Sequence, residues 1–297
     1  MKYDRDMIKA WVQASRPPFF IATFIPLIIG WILGAENGSW HISRFILVVI
    51  GAFMVHLATN LANDYFDHIQ GTDAGESIGG SRVIQEGKIS PDELFKAILL
   101  CYLLASLVAF YFLFILKLWA LLPFLLLALF SSYFYVAPPI KYGYHGLGEL
   151  FVGVNMGPVM VVGTYWVIAG RPDWVPFFIS IPVGLMVAVI LYYQSLPDMR
   201  TDKAVGKYTL AVRLGKRRAF HCLILFWTAI YVSILFVIFL KMLHPMALLS
   251  LLTVPLFVKL LRIVRKIDDW MELDGYGNYI RILYLSNGLI IIFSLLF

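Results

Sequence analysis

Nine predominantly apolar runs divide the chain, at approximately residues 17–35, 45–65, 94–116, 118–136, 150–169, 174–197, 219–240, 246–261 and 280–297. Most approach the roughly 20 apolar residues that an α-helix needs to cross a hydrocarbon core of about 30 Å. The pattern therefore predicts an all-α membrane protein with nine transmembrane helices. The connections alternate in character. Those after the first, third, fifth and seventh runs are short, whereas those at 66–93, 137–149, 198–218 and 262–279 are longer and polar. None is large enough to form a soluble domain, so residues 1–297 are expected to make one polytopic unit. The opening MKYDRDMIKAWVQASRPPFF mixes acids with bases and has no small-residue cleavage site. An interfacial helix, its Lys and Arg at the headgroups beside Trp11, is expected there rather than a cleaved signal peptide.

Composition sharpens this picture. The chain is 61% hydrophobic and 14% charged, whereas soluble domains carry about a quarter charged residues. The net charge is +6, and its distribution reports topology rather than nucleic-acid binding. Placing the N-terminus in the cytoplasm leaves only Arg44, Lys117, Arg171 and Lys241 outside, with every other basic residue of the 24 on or bordering the cytoplasmic side. By the positive-inside rule the four polar connections are cytoplasmic, and an odd span count puts the C-terminus outside. A prokaryotic cell membrane is the expected location. Cys101 and Cys222 sit inside apolar runs and form no metal-ligand spacing or disulfide framework.

Two acidic motifs carry candidate chemistry. The first runs Asn60-Leu-Ala-Asn63-Asp64-Tyr-Phe-Asp67 and continues HIQGTD to Asp73; residues 60, 63, 64 and 67 share one helix face. The second is Gln194-Ser-Leu-Pro-Asp198-Met-Arg-Thr-Asp202, with 194, 198 and 202 again on one face. Both begin at the end of a span and run into Gly and basic residues, as an internal duplication would. An Asp inside a lipid-embedded helix costs about 2.5–3.5 kcal/mol at its centre and less near its end. Two such faces need compensation. If they converge, Asn63, Asp67, Asp198 and Asp202 suit Mg²⁺, which takes oxygen ligands and keeps positions open for substrate phosphates. Bases suited to a diphosphate lie close by. Arg82 and Lys88 are in the first polar connection; Arg200, Lys203, Lys207 and Arg213 are in the third; Arg16 precedes Pro17-Pro18. Asn60 adds an amide. Arg grips phosphate as a planar fork and Lys as a point charge.

The connection TyrPheTyrValAlaProProIleLysTyrGlyTyrHisGlyLeuGlyGlu, residues 133–149, supplies Tyr133 and Tyr135, whose ring faces can stabilise a passing cation, together with Lys141 and Glu149 within reach of substrate. Asn155 and His56 are intramembrane polar residues expected to bond across helices.

NDYFDHIQGTD, GGSRVIQEGKIS, KYGYHGLGE and PDMRTDKAVGKYTLAVRLG together resemble the UbiA-type intramembrane prenyltransferases, and are most similar to the branch that prenylates 1,4-dihydroxy-2-naphthoate in menaquinone synthesis. The resemblance spans about residues 16–215. It implies nine helices in a barrel around a central cavity with a lateral opening to lipid, and two acidic motifs at a cytoplasmic mouth that hold Mg²⁺ and a polyprenyl diphosphate. The family's first motif is N-D-x-x-D-x-x-x-D. Asn63, Asp64 and Asp67 match, but the last position is Gly71 and the next acid is Asp73. Asp198 and Asp202 match the second motif, D-x-x-x-D. The implied reaction is electrophilic alkylation of an electron-rich aromatic acceptor. Tyr133 or Tyr135 would flank the allylic cation, and Asp64 or Asp67 would steer or deprotonate the acceptor, which in the naphthoate branch loses CO₂. No protein partner is implied.

Rival readings remain. Within prenyl transfer, 4-hydroxybenzoate, homogentisate or a glycerol phosphate are alternative acceptors. A CDP-alcohol phosphotransferase would carry D-G-x-x-A-R, which does not occur. A cation-coupled transporter would place its acids near mid-membrane rather than at span ends.

Overall fold

A computed structural model describes residues 2–35, 38, 40–72 and 79–297; Asp73 lies outside the described residues. The chain is helical, with no strand among the described residues. The helices are α1 (Lys2–Ser15), α2 (Ile21–Gly34), α3 (Ile42–Ile69), α4 (Pro91–Phe110), α5 (Leu122–Phe134), α6 (Gly148–Val154), α7 (Met160–Ala169), α8 (Val175–Gln194), α9 (Met199–Ala204), α10 (Leu210–Phe239), α11 (Val254–Lys266) and α12 (Gly277–Ser294). Shorter turns extend several of them. A π turn at Tyr111–Ile115 continues α4, one at Asn155–Val159 joins α6 to α7, and a 3₁₀ segment at Pro245–Thr253 leads into α11.

All nine apolar runs are helical, but not all are full-length spans. Among the described residues six helical stretches are long and apolar enough to cross a membrane: Ile42–Ile69, Pro91–Ile115, Gly148–Ala169, Val175–Gln194, Leu210–Phe239 and Pro245–Lys266. The bent pair Arg5–Phe19 and Ile21–Gly34, turning 55° at its break, makes a seventh if it is one span. The count of nine is thus not reached by length and composition. Pro17 and Pro18, with Arg16 in the left-handed region at φ 54°, break the first run. The fourth survives as the shorter apolar helix Trp119–Phe134. Asn278, Arg281 and Asn287 dilute the last, in α12.

Local sequence accounts for several boundaries. Ser90 and Glu93 form a reciprocal capping box at the start of α4, with Pro91 at its first position. Gly215, at φ 70°, kinks α10 near its base. Small residues set the packing. A Cβ on Gly30 would lie 2.5 Å from Val161 O, so α2 runs against α7 with backbones nearly touching. A Cβ on Gly184 would lie 2.4 Å from Gly153 O, which seats α8 on α6. In lipid, close backbone approach of this kind supplies the association energy that hydrophobic burial supplies in water. The outward faces of α4 and α10 present Leu99, Leu103, Leu107, Leu225, Val232 and Phe239, as lipid contact requires. Enclosed between α2, α3, α4, α5, α6–α7 and α8 is a largely apolar cavity of about 340 Å³, with Arg16, Asn60, Asn63, Tyr135 and Gln194 on its wall.

Candidate functional site

The first acidic motif occupies the last turns of α3. Asp64 and Asp67 are both buried there, 3% and 2% exposed. Each acid has a different set of partners. Asp64 is ion-paired to Arg16 and accepts hydrogen bonds from the Ser81 hydroxyl and, at 3.0 Å, from the Ser81 backbone N–H. It therefore ties the bend before α2 and the connection after α3 to one point. Gln13 Nε2 secures the same connection by donating to Ser81 O at 2.7 Å, and Lys88 Nζ donates to Gln13 Oε1 at 2.7 Å. Asp67 faces the other way. It accepts from the Tyr144 hydroxyl at 2.5 Å and is ion-paired to Lys207 at 3.5 Å.

Lys207 also reaches Asp202, at 3.6 Å. A single ammonium thus bridges the two motifs, which lie far apart in sequence and converge here. Asp198 precedes α9, and its backbone carbonyl accepts from Asp202 N at 2.8 Å and Thr201 Oγ1 at 3.0 Å. Burial pushes the Asp202 carboxyl up to about 7; Lys207 opposes the rise, and the charges of Asp198 and Asp67 add to it. Burial alone would lower the Lys207 pKa, but Asp67 and Asp202 more than offset this and hold it above its ordinary value.

Tyr144 is the hub that the sequence reading did not single out. Besides Asp67 it pairs with Thr72 Oγ1 at 2.6 Å, its carbonyl accepts from Tyr208 N at 2.9 Å, and its ring lies under Lys207 Nζ at 5.4 Å and Lys141 Nζ at 5.2 Å. Three polar connections meet at this ring. The alternation of Tyr and Gly in KYGYHG is a weak signal for such a hub, since interfacial tyrosines are common.

The remaining candidates separate. Asn60 donates to Ser15 O at 3.1 Å, and both Asn60 and Asn63 stand on the cavity wall. Tyr135 is on that wall too. Tyr133 is not among its described residues, and packs edge-on to Phe66 at 5.7 Å. Arg82 follows Ser81 in the left-handed region at φ 63° and is half-buried. Lys203 is exposed on α9 and makes none of the described contacts that join the motifs. His56 bonds across helices to Thr23 at 2.5 Å, as expected. Asn155 does not; it bonds within its own helix.

No group of three or more His, Cys, Asp or Glu able to hold a metal occurs among the described residues. Mg²⁺ does not require one, because it binds through one or two carboxylates and completes its octahedron with waters and substrate phosphates. The donor set fits that mode. Asn63 Oδ1 is buried without a hydrogen-bond partner among the described residues, while Asp67 and Asp202 flank Lys207 with acid oxygens.

The arrangement has known counterparts. A model described as the UbiA prenyltransferase family matches residues 23–271. The chain belongs to this family. Its relatives include the 1,4-dihydroxy-2-naphthoate octaprenyltransferase of Escherichia coli (strain K12), 30% identical over 280 residues, 88% of this chain and 86% of the relative. The enzyme of the same name from Bacillus subtilis (strain 168) is 27% identical over 245 residues, 82% of this chain and 78% of the relative. In three dimensions the chain is similar to a UbiA homolog from Archaeoglobus fulgidus bound to GPP and Mg²⁺, with a TM-score of 0.66 at 15% identity, covering 95% of this chain and 99% of that one. At that identity the likeness concerns the fold alone. As a UbiA-family member with multiple apolar helices, the chain is an integral membrane protein and a prenyltransferase.

Proposed function

We infer that the chain transfers the prenyl group of a polyprenyl diphosphate to 1,4-dihydroxy-2-naphthoate in menaquinone synthesis, with Mg²⁺ as cofactor. The observation that carries the reading is the Asp67–Lys207–Asp202 bridge, which draws both acidic motifs to one side of an apolar cavity. The names of the E. coli and B. subtilis relatives support the choice of acceptor.

In this reading Asn63, Asp67, Asp198 and Asp202 would hold Mg²⁺, whose charge would offset that of the departing diphosphate. Lys207, already between the acids, turns its charge to the phosphate oxygens, and Arg16, Asn60, Arg82 and Lys203 line the approach. Tyr135 presents its ring to the allylic cation from the cavity wall, while Tyr133 packs against Phe66 and Lys141 is held over the Tyr144 ring. Asp64 is engaged by Arg16 and Ser81, and Asp67 by Tyr144 and Lys207, so either acid would steer or deprotonate the acceptor by exchanging one of these contacts for it. The apolar cavity receives the hydrocarbon tail and excludes water from the cation. We assign nine spans within one unit of residues 1–297, with the N-terminus and both motifs cytoplasmic and the C-terminus outside, in a prokaryotic cell membrane.

The test is direct. Purified protein given Mg²⁺, a polyprenyl diphosphate and 1,4-dihydroxy-2-naphthoate should release CO₂ and yield the prenylated naphthoquinol by mass spectrometry. Faster turnover of 4-hydroxybenzoate, homogentisate or a glycerol phosphate would overturn the choice of acceptor while leaving prenyl transfer standing.

A further inference from the structure

Asn155 occupies the first position of the π turn Asn155–Val159, on the cavity wall. Pro158 lies within that turn and has no N–H to continue the α ladder, so the helix widens there. The widened turn is fixed by backbone contact, since a Cβ on Gly157 would lie 2.7 Å from Gly184 Cα. Wide turns of this kind re-aim side chains, and here the re-aimed group is an amide.

The Asn155 amide has one possible orientation. Its Nδ2 donates to Phe151 O at 2.7 Å, and a carbonyl can only accept. Phe151 is in turn held by its ring, 4.3 Å from that of Tyr142, whose hydroxyl donates to Ser131 O at 2.6 Å. Asn155 Oδ1 is therefore the atom left over. It is buried and has no hydrogen-bond partner among the described residues. A buried acceptor without a donor is costly and calls for a ligand that supplies one.

Only one of the two substrates carries such a donor. The prenyl tail is hydrocarbon, and the ionised diphosphate offers oxygens without protons. Gly148 begins α6 beside Tyr135, and Asn155 lies two turns beyond it, about 10 Å along the helix at 1.5 Å per residue. A diphosphate at the acidic motifs would thus leave Asn155 free for the other substrate, whose ring hydroxyls are donors. We propose that Asn155 Oδ1 accepts a hydroxyl of the aromatic acceptor, so that this residue sets the orientation of the ring and the selection of hydroxylated acceptors. The proposal rests on the reading above that the acceptor is a hydroxyaromatic. A site built to bond a substrate hydroxyl discriminates strongly against analogues that lack it, because the buried acceptor atom is then left unpaired.

The experiment compares wild type with Asn155→Leu, using 1,4-dihydroxy-2-naphthoate and its two monomethyl ethers, with KM measured separately for acceptor and for polyprenyl diphosphate. Asn155→Leu should raise KM for the dihydroxylated acceptor about tenfold, the value of one hydrogen bond, and leave KM for the diphosphate unchanged. Wild type should bind one of the two ethers about as poorly as the variant binds the parent, and the variant should be indifferent to that methylation. An unchanged acceptor KM overturns the proposal. So does an equal loss for the parent and both ethers, which is the signature of a bound water, or a shift in diphosphate KM alone. If Asn155→Leu does not fold, as judged by thermal unfolding in detergent, Asn155→Ser is read by the same criteria. Wild type that prenylates no hydroxyaromatic would sink the functional reading itself. Wild type that prenylates the naphthoate while Asn155→Leu behaves identically would sink only the role of Asn155.

Discussion

Replacing Asp67 by Asn separates the work this residue does in folding from the work it does in catalysis. Among the described residues the carboxylate has two side-chain partners: the Tyr144 hydroxyl at 2.5 Å and Lys207 at 3.5 Å. Asn retains a carbonyl oxygen for Tyr144 and loses only the charge facing Lys207. Breaking a buried ion pair usually costs about 3–5 kcal/mol because the surviving charge is stranded. Lys207 is not stranded, since Asp202 remains at 3.6 Å and the charge that helps to raise its pKa is removed with Asp67. The stability cost should therefore fall near about 1 kcal/mol, a shift of a few degrees in thermal midpoint for a chain of this size. Catalysis has no such reserve. Losing a ligand that supports charge at the departing diphosphate is worth about 3 kcal/mol, or roughly 10²-fold in rate. The assay pairs thermal unfolding in detergent with turnover across a Mg²⁺ titration. Asp67→Asn should keep its expression and its midpoint within a few degrees, lose about two orders of magnitude in kcat, and require far more Mg²⁺. Near-normal kcat and Mg²⁺ dependence in both Asp67→Asn and Asp198→Asn would refute the two-motif metal site. A collapse in stability equal to the loss of activity would refute the compensation by Asp202.

Three further outcomes follow from the same geometry. The folded-state pKa of Asp202 lies near 7, above its ordinary value, so the folded protein takes up a proton that the unfolded chain does not; with Mg²⁺ chelated, the thermal midpoint should rise as pH falls from 8 towards 5, and Asp202→Asn should abolish that rise. Gly184→Val would drive a Cβ to 2.4 Å from Gly153 O, a backbone atom that cannot move aside, so overpacking of about 1–3 kcal/mol should appear as a loss of monodisperse protein in size-exclusion chromatography, with Gly163→Ala, where a Cβ meets nothing within 4 Å, as the unaffected control. In a background lacking Cys101 and Cys222, an impermeant thiol reagent added to intact cells should label Trp174→Cys, a position 75% exposed, and spare Ala204→Cys; the reverse pattern would invert the topology.

The helical class, the nine apolar runs and the two acidic faces were legible in the chain because each rests on local periodicity. Hydropathy marks what can sit in lipid, and spacings of three and four mark what shares a helix face. Span lengths were less legible, because Pro17, Pro18 and the polar residues of α12 interrupt runs that average as apolar. Which faces meet was not legible at all. Arg82, Lys203 and Lys207 were equivalent bases in the sequence, yet it is Lys207 that the described ion pairs join to both motifs. As acids to steer the acceptor, Asp64 and Asp67 were alternatives in the sequence, yet one is engaged by Arg16 and Ser81 while the other meets Tyr144 and Lys207. Tyr133 and Tyr135 were equivalent rings, and only Tyr135 lines the cavity. Asn155 was expected to bond across helices, and instead bonds within its own helix and leaves Oδ1 buried with no hydrogen-bond partner among the described residues. These distinctions depend on contacts between helices whose approach is set by Gly30, Gly157 and Gly184 against distant backbones. A linear pattern records which side of its own helix a residue occupies; what that side faces is decided only when the helices pack.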